Sequence, residues 1–202
     1  MAEASIKGSA FVGVVEDLNE LLAGGAVPRA ALEERLEPVD VAFLDDEISP
    51  GFWYPMSSYD RMLSALVHYE SEGDPRAYLR ARGERAMKRL MAMGLYAQFA
   101  SLEKGWTRLA GRVMMTMGSA VYNFLSFELQ PGEIAADASP MAAASRFTLL
   151  VRDGGRLSNH ACTTIEGAVA ALATRAANGA VKVWSRRVGP EEVEIYAERL
   201  AE

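Results

Sequence analysis

The sequence predicts an α+β fold: N-terminal helices packed on one side of a small antiparallel sheet of about four strands, with a crossover helix near the C-terminus. Three observations predict it. Apolar residues recur at helical spacing through most of the first 118 positions. From Ser119 the period changes from 3.6 to 2, the period of a strand. A helical segment then separates one pair of strands from another, an order that sets helices against an antiparallel sheet. Composition does not shift sharply anywhere, so residues 1–202 read as a single domain.

The first element is "AFVGVVEDLNELLAG", stopped at Gly24-Gly25. "VPRAALEERL" restarts a helix with Pro28 in its first turn, where a missing N–H costs little. "EPVDVAFLDDEISPGFWYP" reads as mixed, because Pro38, Pro50 and Pro55 break regular structure. A strong helix follows in "SSYDRMLSALVHYES", with Ser57 or Ser58 as its cap. Tyr59, Met62, Leu63, Leu66 and Val67 form its apolar stripe, and His68 falls on the opposite face. "GDPRAYLRARGERAMKRLMAM" has Asp74 as N-cap and Pro75 in first position. Leu79, Gly83, Ala86, Leu90, Met93 and Ala97 share a face, and the small Gly83 and Ala86 let a neighbour or a ligand come close. Arg76, Arg80, Arg82, Arg85, Lys88 and Arg89 read as a solvated face. "GWTRLAGRVMMTMG" is a further helix with Trp106, Leu109, Ala110, Val113 and Met117 on one side.

The stretch "SAVYNFLSFELQPG" alternates as a strand and closes at Pro131-Gly132. "IAADASPMAAAS" has little pattern and reads as a loop, and "RFTLLVRDGG" is a second strand ending in a turn. Behind His160 and Cys162 comes a helix with a capping box, Thr163 with Glu166 three later. Its buried stripe is Ile165, Val169, Leu172 and Ala176, and Asn178-Gly179 ends it. Gly167 inside this helix costs about 1 kcal/mol against Ala, which points to close approach of another backbone or an aromatic ring. The last two strands form a hairpin, Val181 and Val183 facing Val193, Ile195 and Ala197 around a turn near Gly189-Pro190.

Composition narrows the function. A net charge of -6 argues against a general nucleic-acid binder. A single cysteine excludes an internal disulfide and any multi-cysteine metal centre. No apolar run reaches the roughly 20 residues of a membrane span, and the N-terminus lacks signal-peptide character. The expected location is the cytoplasm. Cys162 near a helix N-terminus could carry a lowered pKa, with His160 as its base. Residues two apart do not face each other on a helix, so a small buried cysteine is the preferred reading. No catalytic residue, metal site or cofactor is therefore expected, and no enzymatic activity. Phe52 to Pro55 reads as an aromatic anchor or a pocket wall. The methionines concentrate at Met87, Met91, Met93, Met114, Met115 and Met117, where they fill a core, line an apolar cavity or form a partner surface.

Lys7-Gly8-Ser9, Trp53-Tyr54-Pro55 before a helix, and Arg82-Gly83 in the next helix resemble a paralogous family of uncharacterised proteins from myxobacteria. That resemblance covers most of the chain. The C-terminal part is similar to 4-vinyl-reductase-type small-molecule-binding domains, through Cys162 before a helix and Gly167 inside it. Those domains share their fold with haem–nitric-oxide sensors and with Golgi-transport subunits. The further cysteines of their metal-binding form have no counterpart between Ser185 and Glu194.

The resemblance implies a sensor-like module: a non-enzymatic ligand-binding or regulatory domain with an apolar cavity between helices and sheet. Apolar stripes and this likeness together place Trp53, Tyr54, Tyr59, Met62, Leu90, Met93, Trp106 and Phe124 around a small hydrophobic ligand. The alternative is a homodimer or partner scaffold that uses the methionine-rich helices.

Overall fold

A computed structural model describes residues 3–92, 116, 118–131, 146–177 and 179–200. The chain opens with a short strand, β1 (Ser5–Lys7), then α1 (Gly8–Ala23), α2 (Arg29–Glu33), α3 (Pro38–Asp45) and a second short strand, β2 (Trp53–Pro55). Two long helices follow, α4 (Met56–Glu70) and α5 (Pro75–Ala92). The C-terminal part contains β3 (Ser126–Pro131), β4 (Arg146–Arg152), the crossover helix α6 (Asn159–Ala177), β5 (Val181–Arg187) and β6 (Val193–Arg199). The predicted α+β class holds. The last four strands form one antiparallel sheet in the order β3-β4-β6-β5.

The sheet's inner face is the alternate set that periodicity selects. Phe147, Leu149 and Val151 of β4 are buried, as are Val183 of β5 and Val193, Ile195 and Ala197 of β6. Val183 stands opposite Ala197, and Ser185 opposite Ile195. Helix α6 packs on β5 and β6, and α5 packs against α6. The α4 stripe of Tyr59, Met62, Leu63, Leu66 and Val67 is buried, while His68 is exposed and within 2.9 Å of Arg35. Asp74 caps α5 through the amide of Ala77, at 2.9 Å.

Several local expectations are corrected. Pro38 does not break the chain: it sits in the first turn of α3, where its fixed φ suits a helix start. The α4 helix begins at Met56 behind Pro55, and no side chain caps it, so neither Ser57 nor Ser58 has that role. The strand expected from Ser119 starts at Ser126, because residues 118–121 are helical. The segment between them is held by β1 instead. The Ser5 amide donates to Asn123 Oδ1 at 2.8 Å, and the Asn123 amide donates to the Ser5 carbonyl at 3.2 Å. The strands β1 and β2, missed in the sequence, pair antiparallel with Lys7 opposite Trp53. Three residues are too few for alternation to show. The "GWTRLAGRVMMTMG" helix and the "IAADASPMAAAS" loop lie outside the described residues, apart from the helix's last positions.

Candidate functional site

The site grows from the crossing of α5 and α6. A Cβ added to Gly83 would lie 1.9 Å from the Thr164 carbonyl oxygen, and one added to Gly167 would lie 2.0 Å from that of Arg80. The two backbones therefore touch, as the glycines in the sequence suggest. Beside this contact the side chains lengthen to Met87 and Leu90 on α5 and to Val169 and Leu172 on α6, and a pocket of about 110 Å³ opens. Ile6 and Ala10 close one side, and Phe127 and Leu149 of the sheet close another.

Among the described residues of this wall, four carry polar side chains: Tyr59, Arg82, Tyr122 and Thr164. Arg82 is only 4 % exposed. Its Nε donates to Asp17 at 2.9 Å, and its Nη1 reaches the Tyr59 hydroxyl at 3.4 Å. Burial raises the Tyr59 phenol, against the pull of the Arg82 charge. Burial raises the Tyr122 phenol further. The Thr164 hydroxyl donates to the carbonyl of His160 at 3.0 Å.

Of the residues placed around a ligand by the sequence, Tyr59 and Leu90 line this pocket. Met62 is fully buried but does not border it. Tyr54 stacks on Phe11 at 4.7 Å and accepts the Ser49 amide, while Trp53 is 43 % exposed with Lys7 Nζ 4.5 Å above its ring. Phe124 meets Tyr122 edge-on. Met93 and Trp106 lie outside the described residues. Sequence reasoning passed over Arg82 and Tyr122. Arg82 carried a signal, since it falls within the stripe formed by Leu79, Gly83, Ala86 and Leu90.

The basic run on α5 is mostly the solvated face it resembles: Arg76, Arg85, Lys88 and Arg89 are exposed, and Arg82 departs from it by being buried. Arg76 and Arg80 both bind Glu166, Arg82 binds Asp17, and Arg89 binds Glu16. Glu166 is fully buried and is no capping residue. It accepts from the Ser185 amide at 2.7 Å and the Ser185 hydroxyl at 2.6 Å, which joins α6 to β5 and to α5. The true cap of α6 is Ser158, whose Oγ accepts the Ala161 amide at 3.0 Å. Thr163 lies past the first turn and donates to the Asn159 carbonyl.

His160 and Cys162 thus sit within α6, and neither lines the pocket. His160 Nδ1 is 3.3 Å from Ser64 Oγ. Cys162 is buried, and burial pushes its thiol up although Arg187 Nη2 lies 3.9 Å away. That is the opposite of an activated nucleophile. Nearby, the Ser158 hydroxyl donates to Asp60 Oδ1 at 2.6 Å. Burial pushes the Asp60 carboxyl up to about 6, against that bond and the Arg61 charge. Met87 faces the pocket and Met91 packs against the core, while Met93, Met114, Met115 and Met117 fall outside the described residues.

No protein-family model matches this sequence, and no curated protein does. The fold does match solved structures. The Fe(II) unliganded H-NOX protein from K. algicida superposes with a TM-score of 0.65 at 12% identity, covering 98% of each chain. A single-site mutant of that protein superposes equally well over 97% of each chain. The iron named there would need donors here. Among the described residues lining the pocket there is no histidine, cysteine or carboxylate, and its two tyrosines are held as neutral phenols. The described residues that line this pocket therefore do not fit an iron group. What the chain shares with the H-NOX structures is the fold, over nearly its whole length.

Proposed function

We propose that this chain is a non-enzymatic ligand-binding module of a regulatory kind, with the pocket between α5, α6 and the sheet as its binding site. The observation that carries the reading is the pocket itself: almost wholly apolar walls with a few polar groups, set where the helical part meets the sheet. At about 110 Å³ it is of the order that accepts a compact ring or a smaller molecule, since an engineered apolar cavity of roughly 150 Å³ binds benzene. The similarity of fold to H-NOX proteins supports the reading by analogy. The buried, proton-retaining thiol of Cys162 speaks against an activity built on that cysteine.

Thermal unfolding of the purified protein with and without small cyclic hydrocarbons and ketones tests this. A concentration-dependent rise in Tm is expected, because a ligand that binds only the folded state stabilises it by mass action. The rise should vanish in Ala168→Leu, which fills the pocket from the α6 side. A wild-type Tm that responds to none of them would remove the pocket as a ligand site.

A further inference from the structure

We infer that the pocket selects an uncharged ligand carrying a hydrogen-bond acceptor on a compact apolar body, with the acceptor held by Arg82, Tyr59 and Tyr122. This rests on the pocket being the binding site, and it concerns which chemistry the site prefers. The polar groups at the wall are unbalanced in kind. A guanidinium only donates. The Tyr59 hydroxyl oxygen is approached by Arg82 Nη1, so its own hydrogen is left to point elsewhere. The half-buried Tyr122 meets Phe124 through its ring and brings a second phenol to the pocket. Burial keeps both phenols protonated, and so keeps both as donors. The Thr164 hydroxyl, also among the described lining residues, already spends its hydrogen on the His160 carbonyl. A wall whose polar groups are chiefly donors matches a ligand that supplies a carbonyl or ether oxygen better than one that brings only further donors.

Charge is excluded on both sides. A cation would face Arg82 directly. An anion would meet a guanidinium already neutralised by Asp17 at 2.9 Å, and would be stripped of water against apolar walls. Size is set by Ala86 and Ala168 facing Leu90, Leu172 and Phe127, which leave room for about a five- or six-membered ring.

The experiment uses four probes of one shape: cyclopentane, cyclopentanone, cyclopentylamine and cyclopentanecarboxylate. Each is titrated by ligand-observed NMR into the intact protein and into Tyr122→Phe, which removes one hydroxyl and keeps the ring. Cyclopentanone is expected to bind tightest, and Tyr122→Phe should weaken it about five-fold while leaving cyclopentane within about two-fold. Equal binding of cyclopentane and cyclopentanone, or a Tyr122→Phe variant that treats both as wild type does, would overturn this inference while the pocket remains a binding site. Tightest binding by the carboxylate or the amine would overturn it in favour of a charged ligand. Binding by none of the four would overturn the site itself and the inference with it.

Discussion

Gly83 and Gly167 occupy opposite sides of one helix crossing, each pressed against the other helix's backbone, at Thr164 and Arg80 respectively. Neither position has room for a methyl group. Gly83→Ala and Gly167→Ala are therefore expected to destabilise the fold by about 3 kcal/mol each, despite the better helix propensity of alanine. Once one substitution has pushed the helices apart, the second should cost less, so the double variant falls short of additivity. Urea unfolding of the two singles and the double measures all three values. Alanine variants as stable as wild type would contradict the contact.

Asp60 gives a pH dependence with a defined sign. Its folded-state pKa is about 6, raised by burial from the ordinary 3.8. A raised carboxyl favours folding in acid: its contribution is fully present below about pH 3.8 and is lost as pH rises through about 6. Asp60→Asn keeps an oxygen to accept the Ser158 hydroxyl and never ionises. It should stabilise the protein at pH 8 by on the order of 2 kcal/mol, with no gain near pH 4. Thermal unfolding of both proteins across that range checks it. A gain that is independent of pH would refute the assignment.

Asp40 works in the opposite direction. It is buried, and although burial pushes its pKa up, bonds from Arg61, Ser58 and the Glu37 amide outweigh this and hold it below the ordinary value. Its contribution is present above about pH 4 and is lost as pH falls through its folded value. In the Asp60→Asn background, where the competing carboxyl is gone, stability should fall monotonically below pH 4. Asp40→Asn in that background should flatten the fall.

Glu166 ties three elements through one carboxylate. Glu166→Gln places an amide NH2 among donors from Arg76, Arg80 and Ser185. A loss of about 2–4 kcal/mol is expected. Ser185→Ala removes only the hydroxyl bond and leaves the backbone one, so its cost should be about 1 kcal/mol. Chemical denaturation ranks the two variants.

Cys162 should be unreactive in the folded state. The Cys162 thiol is buried and held protonated by burial, so a thiol reagent at pH 8 should modify native protein at least about ten-fold more slowly than unfolded protein. Modification at equal rates would place the sulfur in an open, activated site.

Much of the scaffold was legible in the sequence. The β4, β5 and β6 strands and the long helices α4 and α5, with the buried faces of α4 and of the β5–β6 hairpin, follow from periods of two and 3.6. The Asp74 cap and the close approach at Gly83 and Gly167 could be read because each rests on one residue type with one physical use. The capping box at Thr163 and Glu166 was misread for the same reason. The pattern is correct, but a helix capped five residues earlier, on Ser158, leaves Glu166 free to turn inward.

The sequence by itself determined the class, the antiparallel C-terminal strands, the crossover helix and the small residues where two helices must meet. These depend on local spacing and on the conformational limits of single residues. Only the tertiary structure decided which side chains share the pocket. Ile6, Tyr59, Arg82, Tyr122 and Phe127 come from five parts of the chain, and no period relates them. It also decided that Arg82 alone of the α5 arginines is buried, because Asp17 arrives from α1 to pair with it, while Arg76 and Arg89 stay exposed beside Glu166 and Glu16. A charge on a helix reads as solvated until the partner that neutralises it is in place, and that partner is a property of the fold.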